Sequence, residues 1–113
     1  MQTVTESPHV VNQDSDRSRS VQALASRMAA RHPQLATMAD KAAAIVVRGG
    51  IHVISALQVE VAGETGTYDV QLDPQGRIVG CTCPAFYYRP AVINGRHFCK
   101  HIVAYVLDAK AGE

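Results

Sequence analysis

The sequence predicts an α+β fold, with helices in the N-terminal part of the chain and an antiparallel sheet in the C-terminal part. Two patterns of apolar residues support this prediction. Between residues 20 and 49 the apolar residues recur every three or four positions, which is typical of helices with one buried face. After Gly49-Gly50 they recur at every second position, which is typical of strands with one buried face. The length of 113 residues allows one domain of this kind.

Residues 1–19 form the first segment, and their composition is polar. After Met1, the only sizeable apolar residues there are Val4, Val10 and Val11. Such a segment buries too little apolar surface to offset the conformational entropy that is lost on ordering. We therefore expect a disordered tail.

Two Ala-rich helices are predicted over residues 20–49. Ser20 is a candidate N-cap for the first helix, and His32-Pro33 ends or kinks it. Gly49-Gly50 ends the second helix, because glycine commonly follows a helix C-terminus. The two helices either cover the apolar face of the sheet or offer an interface to a partner or a second copy. We favour the first arrangement, because an open sheet face must be buried against something.

A three-stranded antiparallel meander is predicted next. Its first strand is expected over residues 51–61, where the odd-numbered positions are mostly apolar, and its second over residues 67–72. The turn Asp73-Pro74-Gln75-Gly76 follows, with proline pre-set for the second turn position. A third short strand over residues 77–80 then leads to Cys81.

All three cysteines of the chain lie in two closely spaced motifs, Cys81-Thr82-Cys83-Pro84 and Cys99-Lys100-His101. Residues at i and i+2 do not converge on one point in a regular strand or helix, so each motif is expected at a break in secondary structure. Pro84 supplies the first break, because proline disfavours helix for the residue before it. The second break is the start of a C-terminal helix, whose N-terminus favours thiolate.

Three thiolates and one imidazole make a closed tetrahedral donor set that suits Zn²⁺ in a structural role. We therefore predict a zinc knuckle with one structural zinc ion, held by Cys81, Cys83, Cys99 and His101. The zinc would add stability to a domain whose core is thin, since a domain this small buries only about 60–65% of its unfolded surface.

Four other interpretations of this cluster are weaker. Three buried cysteines without a metal would have no reason for paired spacing, and a redox pair normally has two residues between its cysteines. A catalytic zinc needs an open position and a nearby base, yet no Asp or Glu occurs between Asp73 and Asp108. His97 is a competing ligand for His101, because it is also close to Cys99 in sequence.

The two motifs resemble the SWIM zinc finger, in which Cys-x-Cys and a variable loop precede a Cys-x-His that opens an amphipathic helix. Tyr68-Asp69-Val70, Cys83-Pro84-Ala85-Phe86 and Cys99-Lys100-His101-Ile102 carry the resemblance. It covers residues 50–107, and we expect the SWIM-like domain over residues 50–110. Proteins with this finger include transposases, chromatin-associated ATPases, ubiquitin ligases and partners of recombinase paralogues. The resemblance therefore implies binding to DNA or to proteins rather than catalysis.

The interval without acidic residues holds five of the six aromatic residues of the chain, interleaved with four cations. Such a mixture can bind nucleic acid through phosphate neutralisation and base stacking. Alternatively, the cations balance the negative zinc–thiolate centre and the aromatic residues form a small core around it. The loop over residues 84–98 contains turn formers and is expected to project from the metal site. The candidate nucleic-acid contacts are Tyr87, Tyr88, Arg89, Arg96 and Lys100.

We expect a protein that is not an enzyme, because the sequence lacks a convincing base, nucleophile or phosphate loop. The first hypothesis is a zinc-binding module that binds nucleic acid, most simply DNA, or assists a DNA-processing complex. The alternative is a protein interaction adaptor that uses the N-terminal helices. No apolar run suits a signal peptide or a membrane span, and three cysteines cannot all form disulfides within one chain. We therefore expect an intracellular location, in the cytoplasm, nucleoid or nucleus.

Overall fold

The computed structural model describes the backbone of residues 6–112 and the side chains of residues 16–112. This part of the chain has the predicted α+β class, with four α-helices and six β-strands. The helices are α1 (Glu6–Arg31), α2 (Ala36–Val47), α3 (Pro84–Tyr88) and α4 (Lys100–Ala111). The strands are β1 (Ile51–Ser55), β2 (Gln58–Ala62), β3 (Thr67–Leu72), β4 (Ile78–Cys81), β5 (Ala91–Ile93) and β6 (Arg96–Phe98). Within the described residues, no helix has both the length and the hydropathy that crossing a membrane would require.

Helix α1 begins at Glu6 rather than at Ser20, so the structure has helix where residues 6–19 were expected to be a tail. Residues 1–5, the rest of that expected tail, lie outside the described residues. Polar composition argues against burial of apolar surface, but it does not by itself exclude a helical backbone. The helix ends at Arg31, next to the His32-Pro33 break that the sequence predicts.

Ion pairs involve residues in the middle of α1. Arg19 pairs with Asp16 one turn before it, and Arg17 pairs with Asp108 of α4. The second pair joins residues far apart in sequence, so the periodicity of α1 alone could not have indicated it. Both pairs are substantially exposed, and exposed pairs of this kind contribute only about 0–1 kcal/mol each.

Helix α4 is the central element of the fold. It contacts all four strands of the larger sheet, whereas α1 and α2 contact chiefly α4 and each other. The N-terminal helices therefore form an outer layer, and the expectation that they cover the sheet is corrected. The reason is that α4 is apolar on more than one side, burying Ile102, Val103, Ala104 and Leu107, which suits a helix between two layers.

The larger sheet is antiparallel with strand order β1-β2-β3-β4, so the predicted three-stranded meander has four strands. The segment expected as one strand over residues 51–61 turns back at Ala56-Leu57. Ser55 Oγ accepts a hydrogen bond of 3.1 Å from Leu57 N in this turn. Val53 and Val59 pair directly across the hairpin, so apolar residues keep their alternation through the turn. The alternation could not reveal a turn that contains neither glycine nor proline.

The register of the sheet places the first cysteine among apolar neighbours. Val59 pairs with Val70, and Val70 pairs with Cys81, so the three side chains form one buried row across β2, β3 and β4. The pairing continues one residue further, because Asp69 N donates to Thr82 Oγ1 at 2.9 Å and Thr82 N donates to Asp69 O at 3.0 Å. The sheet thereby fixes the position of Cys81.

The turn between β3 and β4 forms at Asp73-Pro74-Gln75-Gly76, as predicted. Asp73 Oδ1 accepts hydrogen bonds from the backbone N–H groups of Gln75 and Arg77, each at 2.9 Å. The Arg77 guanidinium donates to Asp73 Oδ2 at 2.9 Å. The third predicted strand is β4, which begins at Ile78 and includes Cys81.

The segment over residues 84–98, expected as a projecting loop, consists of α3 and the hairpin β5–β6. The hairpin turns at Asn94-Gly95, where φ is 53° and 77°. Two successive positive φ values are typical of a type I′ turn, which matches the twist of two antiparallel strands. The turn signal at Asn94-Gly95 was present in the sequence, but the short strands on either side carry too few residues to show a period.

Candidate metal centre

The structure brings Cys81, Cys83, Cys99 and His101 together. One potential donor atom from each residue lies within 4.8 Å of the others, and all four side chains are buried. Three elements contribute, because β4 ends at Cys81, Cys83 precedes α3, and Cys99 precedes α4, which contains His101. The cluster therefore ties the sheet to two helices.

Both predicted breaks in secondary structure are present. Cys83 is extended, with φ −75° and ψ 151°, and Pro84 is the first residue of α3. Cys99 is also extended, with φ −132° and ψ 171°, and Lys100 begins α4. Each break turns the chain sharply enough that two residues separated by one position face the same point.

Cys83 and Cys99 each stand directly before a helix start, close to the backbone N–H groups of its first turn. The N–H of Phe86, which donates to Cys83 O at 3.3 Å, acts to lower the pKa of the Cys83 thiol, and the N–H of Ile102 acts to lower the pKa of the Cys99 thiol. Hydrogen bonds to the charged form of a group favour that form, and the positive end of a helix dipole does the same. Both helix starts thus favour thiolate.

The three thiols shift one another's pKa values. The hydrogen bond from Cys81 lowers the pKa of Cys99 to about 4. The same hydrogen bond, together with burial, raises the pKa of Cys81, and burial raises the pKa of Cys83. Cys99 is therefore the thiol that deprotonates most readily, and a metal ion would have to displace protons from Cys81 and Cys83. Metal binding should consequently weaken as the pH falls.

The imidazole of His101 is held in a narrow space. Its Nδ1 lies 3.9 Å from Cys99 Sγ. Two donors on one tetrahedral Zn²⁺ would lie roughly 3.5–3.8 Å apart, given bonds of about 2.3 Å to sulfur and 2.0–2.1 Å to nitrogen. The ring of Tyr68 lies against the imidazole, with 4.9 Å between ring centroids. A Cβ on Gly63 would approach His101 Nε2 to 2.5 Å, so this position accommodates only glycine without a shift.

The burial and donor set of the cluster fit one metal ion. His101 is only 3% exposed, and Nδ1 is the ring nitrogen that lies near the Cys99 sulfur, at 3.9 Å. The three cysteines are free thiols. Leaving polar groups buried and unpaired is costly, whereas a metal ion satisfies sulfur and nitrogen donors together. Four protein donors fill a tetrahedral shell, which is the arrangement of a structural rather than a catalytic site.

His97, the competing ligand, is placed elsewhere. It is exposed, and its ring lies beside Phe86 with 6.1 Å between ring centroids. It does not belong to the cluster of donor atoms around Cys99. Its position on β6 explains this, because the strand ends at Phe98 and the chain changes direction at Cys99.

The candidate nucleic-acid contacts do not form one uniform surface. Tyr87 and Tyr88 are 64% and 82% exposed, and Arg89 and Arg96 are also exposed. Lys100 differs, because its Nζ lies 3.2 Å from Glu64 Oε1. Glu64 belongs to the turn before β3, outside the interval without acidic residues. The prediction for Lys100 rested on that interval alone, so it did not include this partner.

A cleft of about 280 Å³ lies between β4 and the β5–β6 hairpin, beside the candidate metal centre. Phe86 and Phe98 contribute apolar surface to it, and Arg96 and His97 contribute polar groups. The sequence contained no signal for this cleft, because it depends on how the hairpin is set against β4. Arg96, one of the candidate nucleic-acid contacts, lines it.

Comparisons of the chain with protein-family models, with curated proteins and with solved structures found no match. The chain is therefore characterised by its fold and its candidate site alone. It is an α+β protein with a buried cluster of three cysteines and one histidine that could hold one metal ion.

Proposed function

We propose that the chain is a SWIM-type binding module with one structural zinc ion on Cys81, Cys83, Cys99 and His101. The observation that supports this proposal is the convergence of four buried donors at two breaks in the backbone. The resemblance of the Cys-x-Cys and Cys-x-His motifs to the SWIM zinc finger supports it further. Zinc suits the donor set because thiolates and imidazole are its preferred ligands in closed sites.

The role of the metal would be to replace hydrophobic core. Zinc in small finger peptides contributes on the order of 10–16 kcal/mol of apparent binding free energy, much of it expressed as folding. In this chain the ion would join β4, α3 and α4, the elements that carry or adjoin the ligands. Ligand loss should therefore affect the sheet and the central helix together.

Metal content and thermal stability test the metal site. We expect about one zinc ion per chain after purification without added metal. His101→Ala should lose the metal and melt at a much lower temperature, because it removes one of the four donors. His97→Ala is the matched control, since His97 is close in sequence but outside the cluster. Equal metal content in the two variants would contradict the assigned ligand set.

The module would bind nucleic acid, most simply DNA, through the surface formed by α3 and the β5–β6 hairpin. Tyr87 and Tyr88 are exposed aromatic rings, Arg89 directly follows them in the sequence, and Arg96 is an exposed cation on the hairpin. Exposed aromatic rings stack on unpaired bases, and arginine neutralises phosphate. Lys100 is a weaker candidate, because Glu64 already neutralises its charge.

A DNA titration at two salt concentrations tests this interface. Changing Arg89 and Arg96 together to Glu should weaken the binding of a single-stranded oligonucleotide and reduce its salt dependence, by about one unit of slope for each lost phosphate contact. The control is Arg27→Glu with Arg31→Glu, which changes net charge equally on a different helix. If both double variants bound DNA as the unchanged protein does, this interface would be refuted.

A protein interaction adaptor is the second candidate function. The observation that favours it is the position of α1 and α2 in an outer layer, where they pack on α4 rather than on the sheet. Their outward faces are therefore available to a partner. Such an adaptor would use the zinc only to keep α4 in place.

A further inference from the structure

A groove of about 260 Å³ runs between α1 and α4, on the side of the molecule where both helices end. Its walls include the apolar side chains of Leu24, Met28 and Leu107. Basic residues line it as well, and these are Arg27, Arg31 and Lys110, with His32 beside them. The groove thus combines apolar and basic walls.

The spacing along α1 produces this combination. Leu24, Arg27, Met28 and Arg31 stand at i, i+3, i+4 and i+7, which places them on one face of a helix. Leu24 and Met28 are half-buried, whereas Arg27 and Arg31 are exposed. The apolar pair therefore lies toward α4, and the two guanidinium groups extend along the rim of the groove.

The positive charge of this rim is not balanced within the described part of the chain. The ion pairs of α1 involve other arginines: Arg17 pairs with Asp108, and Arg19 pairs with Asp16. Arg27 and Arg31 form no ion pair there, and the sequence has no acidic residue between Asp16 and Asp40. The rim is therefore suited to an anionic partner.

We propose that this groove binds an acidic amphipathic helix of a partner protein. Apolar side chains of the partner would lie against Leu24, Met28 and Leu107, and its flanking carboxylates would pair with Arg27 and Arg31. Arginine suits this role because its guanidinium binds a carboxylate through two parallel hydrogen bonds. An amphipathic helix in an apolar groove is a recurring mode of peptide recognition.

The apolar walls favour a peptide over a nucleic acid as the occupant. A phosphate backbone would pair with the arginines but would leave Leu24 and Met28 without apolar contact. The volume of about 260 Å³ is also below the usual range of small-molecule sites, which is about 300–1,000 Å³. A few anchoring side chains fit a groove of this size. This inference refines the adaptor function and does not depend on DNA binding.

Two synthetic peptides test the proposal. Both carry leucines at i, i+3, i+4 and i+7, and one has glutamates and the other lysines on the flanking positions. Their binding to the zinc-loaded full chain is measured by fluorescence anisotropy at low and high salt. We expect the glutamate peptide to bind, more weakly at high salt, and the lysine peptide not to bind. Failure of the glutamate peptide to bind at a concentration of about 1 mM would overturn the proposal.

Variants locate the binding surface. Arg27→Glu with Arg31→Glu should lower the affinity for the glutamate peptide by at least about tenfold, because like charges then face each other. Arg89→Glu with Arg96→Glu is the control with the same net charge, and it should bind the peptide as the unchanged chain does. Met28→Gln should weaken binding several-fold, because it replaces an apolar wall by an amide. Circular dichroism and metal content establish that each variant is folded.

The outcomes distinguish the groove from the functions proposed above. Equal peptide binding by Arg27→Glu with Arg31→Glu would overturn the groove, and an adaptor function through another surface would still stand. Loss of oligonucleotide binding in that variant, with peptide binding retained, would make the rim a nucleic-acid surface and would also overturn the proposal. Loss of peptide binding alone, with normal metal content, would support it.

Discussion

The imidazole of His101 has little freedom to move, because Tyr68 lies on one side of it and the backbone at Gly63 on another. Side chains that surround a metal ligand fix its orientation, and their loss commonly lowers metal affinity by about 10–100-fold. At Gly63 the lack of a side chain also affects the orientation of His101. The absence of a Cβ at Gly63 leaves room for the ring.

Gly63→Ala should therefore weaken metal binding and lower the melting temperature. The new Cβ would lie 2.5 Å from His101 Nε2, so the ring or the strand end must shift. Overpacking of this kind typically costs about 1–3 kcal/mol. Gly66→Ala is the matched control in the same turn, because its Cβ would meet Tyr68 at 3.4 Å, close to ordinary van der Waals contact. Competition with a coloured chelator measures the affinity, and equal affinities in the two variants would contradict this role of Gly63.

At the level of single residues, the sequence predicted that three cysteines and one histidine would lie together. The spacing of cysteine and histidine indicated the cluster, because thiols and an imidazole in closely spaced pairs are typical of a metal site. The partner of Lys100 and the space at Gly63 were not predicted, because both depend on the position of the turn before β3. That turn approaches α4 only in the folded molecule.

The turn between β3 and β4 shows how a short element can depend on one side chain. Asp73 accepts hydrogen bonds from two backbone N–H groups and from the Arg77 guanidinium. These contacts, the backbone hydrogen bond from Arg77 foremost, lower the pKa of the Asp73 carboxyl. The charged form of Asp73 is thus the form that the folded turn prefers.

Asp73→Asn should destabilise the protein in a pH-dependent way. The folded pKa is below that of the unfolded chain, so the carboxylate contributes its stability above the unfolded value of about 3.9. That contribution is lost as the pH falls through the folded pKa. The difference in melting temperature between the two proteins should therefore be largest near neutral pH and should shrink in acid. A difference that stayed constant across the titration would refute this account.

At the level of elements, the turn types were better predicted than the strands. Asp73-Pro74-Gln75-Gly76 and Asn94-Gly95 both form turns, because their residue types favour particular backbone angles. The turn at Ala56-Leu57 was missed, because an even separation between Val53 and Val59 keeps the apolar alternation unbroken. The length of the segment was a sign of the turn, since a single strand over residues 51–61 would be unusually long.

For the whole molecule, the sequence predicted the α+β class but not the order of the layers. The helical period shows which residues of α1 and α2 are apolar, but it does not show which neighbour they meet. The decisive fact is that α4 has buried residues facing both the sheet and the outer helices. A helix of only 12 residues gives a weak amphipathic signal, so its position between two layers was not apparent from its sequence.

The four clustered residues are also close together along the chain, since they span only residues 81–101. Closing a loop of about 20 residues costs roughly 2–3 kcal/mol of chain entropy, by the logarithmic dependence on loop length. This cost is small beside the free energy with which finger peptides bind zinc, about 10–16 kcal/mol. We therefore expect the metal, when available, to organise this short segment early in folding. Helices α1 and α2 would then dock onto an α4 whose start is already fixed.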